Sequence, residues 1–457
     1  MAGIGFELRK LLQKNSYAGV LQAYLYAGMI SSGPWVLSIV GILIIGLLSH
    51  GVDVSSVLIS QFQVTVTYLF VTSLILSGIV QLAFTRFVAD RLFVGDTAAV
   101  PPNFNGLLLV TCLLAVAISV PLAALFFPGE SALYRMLLVM GLAIMCGIWV
   151  TTIFLTGLKY YMAIVRLFAV GYGFTVLFSL GLRQLLKMEG LLLGFVFGHF
   201  MLLMGMIWLV YRHYRSPRFI AFDIWKKGQM YRSLMATGVL INLGVWIDKL
   251  MFWYHPSTSQ PVIGILRASV IYDLPIFIAY LSVIPGMAVF LMRIETDFAE
   301  YYSKFYDAVR KGATLDYIER MRNRMVYYAR RGLLDIAKIQ GIGMMLVFVL
   351  GGDLLSWLGI SHLYLPLLYV DVVGAALQVI LLGIINILFY LDKRRQVLWL
   401  CIILTIGNFI LTAASLQLGA AWFGYGFAGA MAVAVIFGLL ILDHELERLE
   451  YKTFMLQ

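Results

Sequence analysis

The sequence predicts an all-α polytopic membrane protein, with about 12 transmembrane helices in two six-helix lobes around a central cavity, plus a cytoplasmic helical hairpin. Of the 457 residues, 62% are hydrophobic and only 12% are charged. A soluble domain carries about 25% charged residues, so this chain cannot cover itself with water-compatible side chains and requires a lipid solvent. The cysteines, Cys112, Cys146 and Cys401, lie in apolar stretches without paired spacing, which indicates small buried side chains.

Twelve apolar stretches approach or exceed the length of about 20 residues that a bilayer requires. They are residues 20–49, 59–84, 105–127, 134–156, 160–182, 190–211, 233–254, 270–292, 337–358, 364–391, 396–417 and 420–442. Before them, the amphipathic segment 1–19 is expected to lie along the cytoplasmic membrane surface. Because many transporters contain internal repeats, we divide the spans into an N-lobe, 20–211, and a C-lobe, 233–442. A basic linker, 212–232, joins the lobes, and a cytoplasmic tail, 443–457, follows them.

The distribution of Lys and Arg predicts the orientation of the chain. With the N-terminus in the cytoplasm, 27 of the 33 Lys and Arg residues fall on the cytoplasmic side and 4 on the outer side, while Arg166 and Lys249 lie inside spans. Cytoplasmic loops carry such an excess of basic residues, so both termini are expected in the cytoplasm. The formal charge of +10 describes this topology and gives no reason to expect nucleic acid as a partner.

The longest polar segment, 293–338, predicts the cytoplasmic hairpin. Apolar residues recur at helical spacing until Gly312, and Thr314 can then cap a second helix that continues into the ninth span. Two interpretations stay open, a solvated connector and a docking platform for a cytoplasmic partner. The candidate docking residues are Phe298, Tyr301, Phe305, Arg320 and Arg324.

Catalytic motifs are not found in the sequence. It contains no Walker A loop, no GxSxG elbow and no HExxH pair, and its six His are scattered. We therefore expect no enzymatic activity, no cofactor and no metal site. Any transport would draw on a gradient, on a partner protein, or on the pushing force of polymer synthesis.

Ionisable and polar side chains within spans are the candidate functional residues, because such residues in a membrane commonly mark pathways. The candidates for the transport pathway are Asp248, Lys249, Asp371, Arg166, His199 and Asp273. Arg166 can either extend to the headgroups or face the cavity, and His199 is either a hydrogen-bonded structural residue or a pathway residue. Asp371 is expected to face the lumen or a partner, and Asp273 can instead cap the eighth span.

Asp248 and Lys249 are adjacent in the seventh span. Neighbouring helical residues project about 100° apart, so we expect a poor mutual pair, with Asp248 in the interior and Lys249 reaching outward. Asp248 would then need a cation, and Arg166, Arg267 or Lys249 itself could serve.

Helix-breaking residues predict kinks in two spans. Gly33 and Pro34 lie mid-way along the first span, and Pro275 and Pro285 lie along the eighth. Proline removes a backbone hydrogen bond and kinks a helix. These kinks can fit neighbouring helices together, or they can widen a cavity and hinge its gate.

The seventh span also carries a family resemblance. The stretch "INLGVWIDKLMFWYHPSTSQPVIG", with Asp248, Lys249 and Gly264, together with the six-plus-six spans, resembles the polysaccharide branch of the MATE/MVF-like multidrug/oligosaccharidyl-lipid/polysaccharide (MOP) exporter superfamily. The sequence departs after Gly264, where Ile265 and Leu266 stand in place of the family's Gly-x-Tyr. The segments "GIGFELRKLL", "SSGPWVLSI" and "TRFVADRL", with the long hairpin, make essentially the whole chain similar to the Pel exopolysaccharide exporters.

This resemblance implies an inner-membrane protein of a Gram-negative biofilm former. It implies export of an N-acetylgalactosamine-rich polymer from a cytoplasmic glycosyltransferase to the periplasm. It also implies membrane partners, one of them a cyclic-di-GMP receptor.

Other functions remain open. A lipid-linked oligosaccharide flippase would need several cavity-facing arginines to bind pyrophosphate, and Arg166 is the only arginine deep inside a predicted span, since Arg135 lies at the outer edge of the fourth. A drug/cation antiporter of the same fold would need a coupled carboxylate, which Asp248 or Asp371 could supply. A membrane scaffold that anchors the synthase and transports nothing is the alternative from a different class.

Overall fold

The computed structural model describes residues 17–49, 55–157, 160–226 and 230–455, and most of these residues lie in helices. The predicted amphipathic segment falls outside the described residues except at its last three positions. The helices are α1 (Tyr17–Ser49), α2 (Ser56–Phe93), α3 (Val100–Phe126), α4 (Ala132–Gly157), α5 (Tyr161–His213), α6 (Arg232–Tyr254), α7 (Val270–Leu281), α8 (Ile284–Met292), α9 (Ala299–Arg310), α10 (Leu315–Trp357), α11 (Leu365–Tyr390), α12 (Arg394–Leu418), α13 (Tyr425–Glu447) and α14 (Leu449–Met455). Two short strands, β1 (Gln260–Ile263) and β2 (Leu266–Ala268), form an antiparallel hairpin between α6 and α7.

Ten helices in the described part of the chain are long and apolar enough to cross a membrane. One of them covers Met162–His213, with 52 residues, whereas about 20 residues suffice for one crossing. It is broken at Lys187, where φ is 51° and ψ is −122°. α1 covers the first predicted span and is not among the ten. The all-α polytopic class is therefore confirmed, while the count of 12 spans stays a prediction.

Residue contacts divide the chain into two compact units. The C-terminal unit comprises Met1–Ser32, Ile247–Thr258 and Ser269–Gln457, and the N-terminal unit comprises Gly33–Trp246 and Ser259–Ala268. Two of the boundaries lie inside helices, one within α1 and one within α6. Asp248 and Lys249 therefore belong to the C-terminal unit, although most of α6 belongs to the other.

Within the N-terminal unit, the two halves of α5 pack against each other through glycine. Gly190, Gly194 and Gly198 recur every four residues and so share one helix face. A Cβ added to any of them would stand less than 3.0 Å from the opposite half of α5. Small residues let membrane helices approach this closely, and the sequence places them where the chain turns back on itself.

α11 is the central helix of the C-terminal unit. It packs against α7, α10 and α13, and it carries Asp371, which is 0% exposed. Part of the surrounding core is a cluster of apolar side chains from these helices, namely Ile278, Ala279, Leu355, Leu368, Val372 and Ala375. A charged residue on α11 is therefore enclosed by protein within this unit.

The eighth predicted span is interrupted where α7 ends and α8 begins. Pro285 lies in the first turn of α8, where its missing N–H has no helical partner to lose. Gln340 of α10 donates a hydrogen bond to the Val283 carbonyl at 3.3 Å. This bond gives a backbone carbonyl at the break a hydrogen-bond partner. Pro275 lies inside α7, and Gly33 and Pro34 lie within α1. The roles of these residues in gating stay predictions.

The predicted hairpin has the expected helical form. A π-helical turn (Arg293–Phe298) leads into α9, and α9 packs against α10. Gly312 lies in the turn between them with φ of 63°, a left-handed conformation that glycine adopts without strain. The position of this hairpin in the cytoplasm stays a prediction.

Candidate functional site

A buried ion pair occupies α6. The Lys249 ammonium nitrogen (Nζ) lies 2.9 Å from Asp248 Oδ2, and the two side chains are 2% and 0% exposed. The expected outward direction of Lys249 is therefore wrong, as is the expected poor pairing. The four-carbon stem lets the ammonium fold back to its neighbour, and an unpaired charge here would carry a large desolvation cost.

Two further helices supply hydrogen bonds to the Asp248 carboxylate. The Tyr272 hydroxyl of α7 donates to Oδ2 at 2.6 Å, and Asn408 Nδ2 of α12 donates to Oδ1 at 3.1 Å. The Thr412 hydroxyl in turn bonds to Asn408 Oδ1 at 3.0 Å. Both carboxylate oxygens are thus engaged, and the cation that Asp248 was expected to need is Lys249 itself. Burial makes these bonds strong and their loss costly.

Aromatic groups complete the environment of the Lys249 ammonium. Its Nζ donates to the Tyr280 hydroxyl at 2.9 Å. It also lies 4.2 Å from the centre of the Phe427 ring and 5.1 Å from that of Tyr280. Aromatic faces attract a cation at such distances. The lysine is therefore held by a carboxylate, a phenol oxygen and two rings.

Asp371 is the carboxylate in this region with unused hydrogen-bonding capacity. Neither of its buried oxygens has a hydrogen-bond partner among the described residues. It lies close enough to Lys249 and Asp248 to interact with them electrostatically. An added Cβ on Gly424, at the N-terminus of α13, would stand 2.9 Å from Asp371 Oδ1. The positive end of the helix dipole can offset only part of the cost of a buried carboxylate. A proton, a cation or a donating hydroxyl would therefore bind favourably here.

We call the set Asp248, Lys249, Asp371, Tyr272, Tyr280 and Asn408 the buried charge cluster. Three of its members were predicted from sequence, and the structure brings those three together. The tyrosines and Asn408 were missed. A usable signal was present in α12, where Thr405, Asn408, Thr412 and Ser415 recur at steps of three and four and are all buried. A polar stripe on one face of an apolar helix indicates polar contacts inside the protein.

The other predicted pathway residues lie outside this cluster. His199, in the N-terminal unit, has Nδ1 2.8 Å from the Phe195 carbonyl and Nε2 3.1 Å from the Tyr172 hydroxyl. Both of its ring nitrogens are satisfied, as the structural interpretation expects. Asp273 accepts from Trp253 Nε1 at 2.8 Å and from the backbone N–H of Ser269, the residue before α7, at 3.1 Å. Arg166 is exposed on α5.

The predicted docking residues separate into two groups. Phe298 and Phe305 are both 0% exposed, so the expectation that they contact a partner is wrong. Their apolar face is covered because α10 folds back over it. Tyr301 stacks on Tyr328 of α10 at 4.6 Å, which leaves Arg320 and Arg324 as the exposed candidates.

Comparison with known proteins identifies both a family and a fold. The family model of the PelG exopolysaccharide exporter (EPS-E) matches residues 1–454. No curated protein matches the chain.

Among the described residues, no group of three or more His, Cys, Asp or Glu is placed to hold a metal ion.

Several solved structures share the fold. An outward-facing multidrug-resistance MATE transporter of the MOP superfamily has a TM-score of 0.69 at 13% identity, covering 94% of this chain and 96% of the other. A MATE protein in the straight conformation has a TM-score of 0.63 at 13% identity, with coverage of 93% and 96%. A MOP superfamily transporter from Pyrococcus furiosus, described by the reverse polarity of its binding pocket, has a TM-score of 0.63 at 12% identity, with the same coverage. Such identities show a common fold.

Proposed function

The chain belongs to the PelG exopolysaccharide exporter family, and from this premise we propose that it exports a nascent Pel-like, N-acetylgalactosamine-rich polymer across the bacterial inner membrane. The polymer would come from a cytoplasmic glycosyltransferase and enter the periplasm for the biofilm matrix. The observation that carries the proposal beyond family membership is the buried charge cluster. An ion pair and a second carboxylate are costly within a membrane and are retained there mainly for function.

Within this function, we assign different tasks to the two carboxylates. Asp248 is fully bonded to Lys249, Tyr272 and Asn408, so it holds three helices in a fixed arrangement. Within the described part of the chain, neither Asp371 oxygen accepts a hydrogen bond. It is therefore the group that takes up a proton, a cation or a sugar hydroxyl during transport.

The test replaces Asp371→Asn, which keeps the side-chain shape and removes the charge. The matched control is Asp353→Asn, because Asp353 is exposed near the C-terminal end of α10. Secreted polymer and membrane protein level are measured together in cells that produce the polymer. We expect Asp371→Asn to lose export at normal protein level and the control to export normally. Normal export by Asp371→Asn would remove this residue from the pathway.

The charge of the cluster bears on the flippase alternative. Two carboxylates and one ammonium give a site with no excess of positive charge for a pyrophosphate. This balance favours a polymer of sugars over a lipid-linked pyrophosphate as cargo.

The scaffold alternative predicts different effects of variants on partner recruitment and on polymer export. We propose that the glycosyltransferase and a cyclic-di-GMP receptor bind the hairpin, on the strength of the family resemblance and of exposed Arg320 and Arg324. Deletion of residues 294–335 should abolish recruitment whether or not the protein transports. Asp371→Asn should stop export while the partners stay bound. If only the deletion affects polymer secretion, the protein is a scaffold.

We also propose that both termini face the cytoplasm, from the asymmetry of Lys and Arg. A reporter inserted at Ala313, in the turn of the hairpin, should report a cytoplasmic position. A reporter at Ser259, before β1, should report a periplasmic one. The reverse pattern would overturn the orientation without affecting the family assignment.

A further inference from the structure

A basic groove lies in the C-terminal unit, away from the buried charge cluster. It has a volume of about 620 Å³ and runs between α10 and α13. Its polar wall includes Arg322, Tyr327, Arg330 and Arg331, and Glu447 lies opposite. Its apolar part includes Leu334 and Leu446.

The groove lies where both helices change from apolar to charged surface. On α10, Arg330 and Arg331 precede Leu334, which is 59% exposed, and after the exposed Lys338 the exposed face is apolar from Ile342 onward. On α13, Leu440 is 63% exposed, and charged residues begin at Asp443. Exposed apolar side chains in a membrane protein face lipid tails, and the adjoining charged residues lie among the headgroups. The groove is therefore at headgroup depth.

Two of its arginines, Arg330 and Arg331, can accept an anion without loss of a strong ion pair, whereas Arg322 is held by Glu450 at 2.7 Å. Arg330 contacts Asp443 at 2.7 Å, but the two side chains are 58% and 56% exposed. Arg331 Nε lies 3.9 Å from Asp335 Oδ2, and its guanidinium lies 5.7 Å from the Tyr327 ring centre. Exposed or loosely spaced pairs contribute little to stability, so a phosphate can replace these carboxylates at Arg330 and Arg331.

We propose that this groove binds one anionic glycerophospholipid. The phosphate lies between Arg330 and Arg331, and an acyl chain runs along Leu334 toward the membrane core. Glu450 balances Arg322, so Arg330 and Arg331 against Glu447 leave the lining with an excess of one positive charge. This excess favours an anionic over a zwitterionic headgroup. Basic sites between membrane helices on the cytoplasmic side commonly bind such lipids. An acidic peptide would match the arginines but would leave the lipid-facing apolar part unexplained.

The test uses the purified full chain, delipidated in detergent and titrated with phosphatidylglycerol or phosphatidylcholine. Native mass spectrometry counts the lipids retained. The variant is Arg330→Gln/Arg331→Gln. The matched control is Arg320→Gln/Arg324→Gln, which makes the same charge change nearer the N-terminal end of α10 and outside the groove lining. Arg331→Gln alone serves if the double variant fails to fold, since Arg331 makes only a loose ionic contact.

We expect the wild type to retain one phosphatidylglycerol and to prefer it to phosphatidylcholine. The groove variant should bind it roughly tenfold more weakly, and the control should bind it as the wild type does. Equal retention of both lipids, or equal binding by all variants, would refute the proposal. Loss of a co-purifying protein from the groove variant with lipid binding intact would make the groove a protein site instead.

Discussion

Lys249 Nζ and Asp248 Oδ2 lie 2.9 Å apart although the two residues are consecutive in one helix. Consecutive side chains leave a helix about 100° apart, so the contact exists only because the lysine stem is long enough to return. The pair is electrically neutral as a unit. α6 therefore places two opposite charges inside the C-terminal unit, and each charge neutralises the other.

Removing one member of this pair should be worse than removing both. Asp248→Asn or Lys249→Gln leaves an uncompensated buried charge, for which we expect a loss of about 3–5 kcal/mol. The double variant leaves neither charge of the pair and should lose less free energy of unfolding than either single variant. Thermal unfolding of the four proteins in detergent measures this as a double-mutant cycle. Strict additivity would mean that the two side chains do not interact.

Gly424 should not tolerate a side chain. Its φ of 84° is unfavourable for alanine, and a Cβ would stand 2.6 Å from Leu367 Cδ1. We expect Gly424→Ala to destabilise the protein by about 1–3 kcal/mol. The control is Gly429→Ala on the same helix, where the nearest atom lies at an ordinary 3.5 Å. The melting temperatures of the two variants in detergent test this expectation. Equal values would contradict the close packing of α13 against α11 at Gly424.

The glycines of α5 offer a second matched pair. A Cβ at Gly194 meets the backbone of Ser179, whereas one at Gly181 has nothing within 4 Å. We expect Gly194→Ala to force the two halves of α5 apart and to lower the yield of folded protein. Gly181→Ala should be neutral or stabilising, by up to about 1 kcal/mol. Size-exclusion profiles and thermal unfolding distinguish them, and two wild-type-like proteins would disprove the close packing.

Variants of the hairpin should separate effects on stability from effects on partner binding. Phe298→Ala removes a buried ring, and such changes cost about 3–5 kcal/mol, so the melting temperature should fall. Arg320→Gln/Arg324→Gln changes exposed residues and should leave it unchanged, while co-purification with the glycosyltransferase should weaken. If the arginine variant keeps its partner, docking involves another surface.

The membrane class followed from composition and the hairpin turn from the break at Gly312, because each depends on local sequence. The interior position of Asp248 and Asp371 followed from the cost of a carboxylate in lipid. Lys249 was misjudged because helical geometry fixes where a side chain starts and leaves open where a flexible stem ends. Phe298 and Phe305 were misjudged because an amphipathic pattern shows that a face is apolar and does not show which helix covers it.

The remaining members of the buried charge cluster depend on contacts between distant segments. Asn408 bonds to Asp248 across 160 positions of the chain, and Tyr272 does so across 24. A single sequence does not show which residues of two distant segments will lie next to each other in the fold. The polar stripe on α12 could have indicated that Asn408 faces protein, but not which group it would meet.

The break at Lys187 has a consequence for how the protein is made. The fifth and sixth predicted crossings meet at almost a single residue, so no separate loop exists to wait on one side of the membrane. We therefore expect the two crossings to enter the bilayer together, as one helical hairpin. In the proposed orientation, Lys187 is then carried to the periplasm at the tip of that hairpin, and the glycine face closes only after both arms have emerged.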